Sequence, residues 1–149
     1  MKFQIVCLFL CGLALQAFAA AKFEVRTPED ALKAHEECRE EYNVPDEIYE
    51  QYLQYNFPDH KRTKCYIKCW VEKMGIFSEK KGFDEKAIYK QYTQNRTQYL
   101  SSVQHGLEKC IDHNEWESDV CTFAHRVFSC WLPLNRHVVR AVLGTPKEN

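Results

Sequence analysis

Apolar residues recur at intervals of three and four through most of the chain, the period of helices with one buried face. The clearest stripe is Leu100, Val103, Leu107, Cys110 and Ile111, with Ser101, Gln104, Glu108 and Asp112 turned away from it. Upstream, Thr27-Pro28-Glu29-Asp30 opens a first helix. Thr27 caps it, Pro28 fits the first turn, and two acids meet the positive end of the helix dipole. Ala31, Ala34, Cys38 and Tyr42 form its face. Pro45-Asp46-Glu47 starts a second helix with Ile48, Tyr52 and Tyr55 on one side, and Pro58 ends it. Asp59 opens a third that runs to about Met74, where Gly75 is the stop. Asp84 caps a fourth; Phe83 and Ile88 are spaced as a hydrophobic staple across its start, and Tyr92 continues the face.

Ser118 or Asp119 starts a sixth helix, after the one carrying the clearest stripe. Val120, Phe123, Ala124, Val127, Phe128 and Trp131 make a wide apolar arc there, leaving Thr122, His125, Arg126 and Ser129 as a narrow wet strip. A tail, residues 134–149, follows Pro133. Its stretch from His137 to Leu143 fits a short seventh helix and, being rich in valine, fits extended chain equally. The pattern predicts an all-α fold, a compact bundle of about six helices.

The first twenty residues follow a different rule. Met1-Lys2 precedes an apolar run from Ile5 to Leu15, too short for a stable membrane span, and small residues then alternate at Ala17, Ala19 and Ala21. This is the pattern of a signal peptide, residues 1–19, with cleavage after Ala19 and Ala21 as the alternative. A single domain, 20–149, remains, and it is expected to be secreted and soluble, without stable membrane insertion.

Composition narrows the function. Charged residues make up 28% and hydrophobic ones 45% of 149, which suits a folded globular domain. Twenty basic residues stand against 21 acidic ones, so no electrostatic footprint for nucleic acid exists. The chain holds eight cysteines, two of which, Cys7 and Cys11, leave with the signal peptide. The six that remain, Cys38, Cys65, Cys69, Cys110, Cys121 and Cys130, read as three disulfides in an oxidising compartment. Cys65 and Cys69 share one helix face and cannot easily bridge each other, so each reaches a different neighbour. Fifteen pairings are formally open, and spacing alone does not choose among them.

The intervals between these cysteines are 26, 3, 40, 10 and 8 residues. In this the chain resembles the insect odorant-binding proteins, the pheromone and general odorant-binding group in its six-cysteine form. Lys64-Cys65-Tyr66-Ile67-Lys68-Cys69, followed by Met74-Gly75-Ile76-Phe77, resembles that family's third helix and the loop after it. The resemblance implies the pairs Cys38–Cys69, Cys65–Cys121 and Cys110–Cys130. It also implies an apolar cavity, with the bridges offsetting the cost of an unfilled core. The expected function is that of a secreted carrier, taking a small hydrophobic ligand of the odorant or pheromone class through aqueous fluid. The same fold serves in saliva, seminal fluid and haemolymph, so an olfactory role is an expectation from resemblance. A homodimer and contact with an olfactory receptor are partners it admits.

Candidate ligand-binding residues are the large apolar side chains of helices four to six: Ile88, Tyr92, Leu100, Val103, Leu107, Phe123, Val127, Phe128 and Trp131. Trp131, next to the sixth cysteine, stands where the resembled family can carry a ligand-touching aromatic. His137 in the tail is a candidate pH sensor if the tail covers the pocket, whereas His125 is expected to be simply solvated. Asn95-Arg96-Thr97 is an N-glycosylation acceptor. No cofactor or metal is expected: paired Cys-x₂-Cys knuckles, His-Glu-x-x-His, Gly-x-Ser-x-Gly and phosphate-binding loops are missing. The rival reading, a small secreted hydrolase, has only the adjacent pair Asp112-His113 to build on.

Overall fold

The structure, a computed structural model, describes residues 22–145. The expected signal peptide lies outside them. The described residues form six α-helices: α1 (Pro28–Glu41), α2 (Asp46–Leu53), α3 (Lys61–Lys73), α4 (Glu85–Thr93), α5 (Leu100–Cys110) and α6 (Val120–Leu143). A two-stranded hairpin, β1 (Phe77–Ser78) with β2 (Gly82–Phe83), sits between α3 and α4, and one turn of 3₁₀ helix, Thr97–Tyr99, leads into α5.

Local chemistry sets most of the helix starts. Thr27 and Asp30 form a reciprocal capping box: the Asp30 N–H donates to Thr27 Oγ1 at 3.2 Å and the Thr27 N–H to Asp30 Oδ2 at 2.9 Å. The Asp84 side chain accepts from the Ala87 N–H at 3.0 Å, and that of Asp119 from the Thr122 N–H at 3.0 Å. The α3 start differs from expectation. His60, and not Asp59, is the N-cap, its Nδ1 accepting from the Arg62 N–H at 3.2 Å. Asp59 instead pairs with Lys64 at 3.0 Å.

The largest departure is α6. It runs through Pro133 and ends at Leu143, so the expected stop at Pro133 and the separate tail are both replaced by one helix of 24 residues. Proline removes the N–H that would bond the Ser129 carbonyl. Burial outweighs that loss: Trp131, Leu132, Asn135, Val138, Val139, Val142 and Leu143 continue the buried face, while Pro133 points to solvent. The Tyr55 hydroxyl donates to the Gly144 carbonyl at 3.0 Å and fastens the end of this helix to the residue following the α2 cap.

The core centres on α3 and α6, the most extensive helix pair. Trp70 of α3 is fully buried, its ring 4.9 Å from His35 of α1 and 5.4 Å from Phe128 of α6. Three disulfides tie the frame: Cys38–Cys69 joins α1 to α3, Cys65–Cys121 joins α3 to α6, and Cys110–Cys130 joins α5 to α6. This is the pairing that the resemblance implied. His125 is not simply wet, as the strip pattern implied; its Nε2 is buried without a partner, and burial draws its pKa below the usual histidine value.

Candidate ligand cavity and its mouth

An apolar cavity lies between α4 and α6. Ile88 and Tyr92, one turn apart on α4, face Val127, Phe128 and Trp131 on α6; Ile76, Phe83 and Ile111 complete the wall. Five of the candidate residues therefore meet at one site. Leu100, Val103, Leu107 and Phe123 do not line it. Val103 and Leu107 are buried on α5, Leu100 is half-buried, and Phe123 lies outside the cavity, next to Phe83. The helical stripe of α5 is spent mostly on packing against α6, which the period alone cannot distinguish from lining a hole. The three wall residues outside the candidate set each had a signal. Phe83 is the staple partner of Ile88, Ile76 follows the Gly75 stop, and Ile111 extends the α5 stripe.

The cavity is narrow. Its volume is about 10 Å³. That is room for about one water, and the apolar walls offer it little to bond to. At about 24 cal/mol per Å³ the void costs only about 0.2 kcal/mol. The idea that disulfides offset a large cavity penalty is thus corrected. Anything larger than a water would have to displace wall side chains.

Two polar atoms on the wall residues lack partners. Tyr92 Oη and Trp131 Nε1 are both buried and unbonded, with their rings 4.7 Å apart. Burial pushes the Tyr92 phenol well above its ordinary pKa, so it stays a neutral donor. The indole edge packs against α5 at Gly106, where a Cβ would meet Nε1 at 2.9 Å.

Beyond one end of the cavity is an open cleft of about 220 Å³ between the hairpin and residues 111–119. Phe77, Phe83 and Phe123 form a triangle of rings at 4.8, 5.7 and 5.9 Å, and Phe123 lines the cleft while Phe83 lines the cavity. On the loop side, Arg126 clamps Asp112 with Nε and Nη2, each at 2.9 Å, and donates to Ser118 Oγ at 2.8 Å. The hydrogen bond from Arg126 holds the Asp112 carboxyl below its ordinary pKa. Asp112 is thus engaged by an arginine, not arranged as a dyad with His113. The larger groove of about 610 Å³ beside Asp59, Lys64 and Asp119 is open and charged, unsuited to an apolar guest.

His137 lies exposed on α6, its ring 6.4 Å from that of Tyr99. No residue from 133 to 145 lines the cavity, so the described part of the tail is helix and not a cover. Asn95 is exposed in the turn after α4, where an acceptor asparagine is reachable. Among the described residues, no group of histidine, cysteine and acid side chains could hold a metal, and no helix is long and apolar enough to cross a membrane.

Residues 20–133 match the model of the PBP/GOBP family. The chain belongs to that family. General odorant-binding protein 99a of Drosophila melanogaster is 32% identical over 127 residues, covering 85% of this chain and 89% of that protein. Odorant-binding protein 22 of Aedes aegypti is 32% identical over 133 residues, covering 89% and 94%. Among solved structures, the mosquito juvenile hormone-binding protein superposes with a TM-score of 0.70 at 16% identity; the match covers 82% of this chain and 47% of that one, so this PBP/GOBP chain spans about half its length. The fatty acid binding protein OBP56a of the blowfly Phormia regina gives 0.58 at 18% identity, covering 78% and 99%. Both structural likenesses show the shared fold. Membership of the PBP/GOBP family supports a secreted, non-enzymatic small-molecule carrier, and the aromatic-lined core agrees with it.

Proposed function

We propose that this PBP/GOBP-family chain carries a small hydrophobic molecule, of the odorant or pheromone class, through aqueous extracellular fluid in an olfactory setting. Residues 1–19 direct its secretion. The observation that carries the reading is the convergence of Ile88, Tyr92, Val127, Phe128 and Trp131 on one apolar cavity. The names of the relatives, odorant-binding proteins of a fly and a mosquito, support the ligand class. Burying about 300 Å² of apolar ligand surface stabilises the complex by about 7 kcal/mol. Association and the rearranged rings take back several kcal/mol, so this apolar term alone gives weak binding; a micromolar carrier, at about 8 kcal/mol net, needs a longer buried chain or polar contacts as well.

A non-olfactory carrier of lipids is the second reading. The fold neighbours named for juvenile hormone and fatty acid binding support it. A native mass spectrum of the protein purified from its source tests both, since the mass of a retained guest identifies its class and the same spectrum shows monomer or homodimer. A calorimetric titration with decanol is expected to give a micromolar Kd, and Val127→Trp, which fills the cavity, is expected to weaken it at least about tenfold. Unchanged decanol affinity in Val127→Trp would overturn the cavity as the binding site.

A further inference from the structure

We infer that the cleft between the hairpin and residues 111–119 is a head-group site for an anionic amphiphile, a carboxylate, whose chain passes between Phe83 and Phe123 into the cavity. The inference rests on the carrier reading and adds the ligand's polar end to it.

The cleft and the cavity adjoin across two rings in contact, which part for a chain to pass. The cleft and the cavity share one partition, the edge-on pair Phe83 and Phe123 at 5.9 Å. Gly82 packs closely on the partition from the cleft side: a Cβ there would lie 3.3 Å from two atoms of the Phe123 ring, tighter than ordinary van der Waals contact. Along α6 the path runs from Phe123 past Val127 to Trp131, two helical turns or about 12 Å. An extended aliphatic chain of about ten carbons covers a comparable length.

Charge selects the head group. The cleft has two carboxylates and two ammonium groups on its walls, besides His113. Both carboxylates are already ion-paired. Glu79 meets Lys68 at 2.5 Å, outside the cleft wall, where Lys68 also serves Glu72 at 2.9 Å, and Asp112 is held by Arg126. Lys80 and Lys81 have no ion-pair partner among the described residues. The mouth of an apolar cavity is therefore left with two unmatched cations that a carboxylate satisfies while its chain is buried. Their long side chains remain mobile at the surface, so the attraction is modest and screened by salt.

The test compares decanoate with decanol at pH 7.4 and low ionic strength, by calorimetry on the whole mature protein. In the double variant Lys80→Gln/Lys81→Gln, decanoate is expected to bind about three- to tenfold more weakly than in the wild type, while decanol is unchanged. The loss is expected to shrink in high salt. Lys33→Gln/Lys61→Gln, which alters net charge equally at sites away from the cleft, is expected to leave decanoate affinity in place. Equal decanoate affinity in wild type and Lys80→Gln/Lys81→Gln, or an equal loss in the control pair, overturns the head-group site while decanol binding keeps the carrier reading. Failure of both ligands to bind the wild type overturns both.

Discussion

Gly106 of α5 sits directly beneath Trp131 of α6, so close that a Cβ on it would lie 2.8 Å from the indole Cδ1 and 2.9 Å from Nε1. It would also collide with the Asn135 amide, which cannot easily move aside. That amide donates to the Trp131 carbonyl at 3.3 Å and accepts from Ser102 Oγ at 2.8 Å. Gly106→Ala gains about 1 kcal/mol of helix propensity but forces α5 and α6 apart. Its net effect is expected to be a loss of about 1–3 kcal/mol, read from urea unfolding. An unchanged midpoint would show that the two helices can yield at no cost.

His35 is fully buried against Trp70 with Nδ1 2.5 Å from the Tyr66 hydroxyl, and burial lowers its pKa to about 3 from an ordinary 6.5. The unfolded chain takes up this proton near pH 6.5 and the folded chain does not until about 3. Stability is therefore complete above pH 6.5 and falls as pH falls, by about 1.4 kcal/mol per pH unit for this one proton. Urea midpoints between pH 6.5 and 4.5 read the slope before most carboxylates titrate. His35→Gln is expected to flatten it, leaving the smaller contribution of His125, whose pKa burial also lowers. A slope unchanged in His35→Gln would place the sensitivity elsewhere.

Tyr92 carries a buried hydroxyl that bonds to nothing in the described structure. Tyr92→Phe removes the desolvated group and keeps the ring on Trp131. It is expected to stabilise the ligand-free protein by about 1 kcal/mol, visible as a raised melting temperature. Destabilisation instead would mean that the hydroxyl holds a bound water of real value.

The disulfides differ in the loops they close. Cys110–Cys130 spans 20 residues and Cys65–Cys121 spans 56. Chain entropy makes the first worth about 3 kcal/mol and the second about 4. Paired replacement by alanine is expected to cost more for Cys65 with Cys121, and the reverse order in chemical denaturation would argue against an entropic origin.

Much of this architecture is legible before folding because it is local. Thr27, Asp84 and Asp119 cap helices through bonds to residues three positions on, so the signal and the structure share one short stretch. Pro133 misleads for the opposite reason. Its effect is local, but Val138, Val139 and Val142 are buried against distant elements, and that burial carries α6 onward. The hairpin at Phe77 and Phe83 is too short to show an alternating pattern. The cavity was half visible. Period marks Ile88, Tyr92, Val127, Phe128 and Trp131 as inward, yet marks Val103 and Leu107 the same way. Only three-dimensional placement separates a wall from a filler.

The single-water volume between α4 and α6 has a mechanical consequence. The two helices keep their oily faces against each other, so a guest of any size has to wedge them apart. On the proposed carrier reading, loading is then an act of swelling, and hydrostatic compression should oppose it.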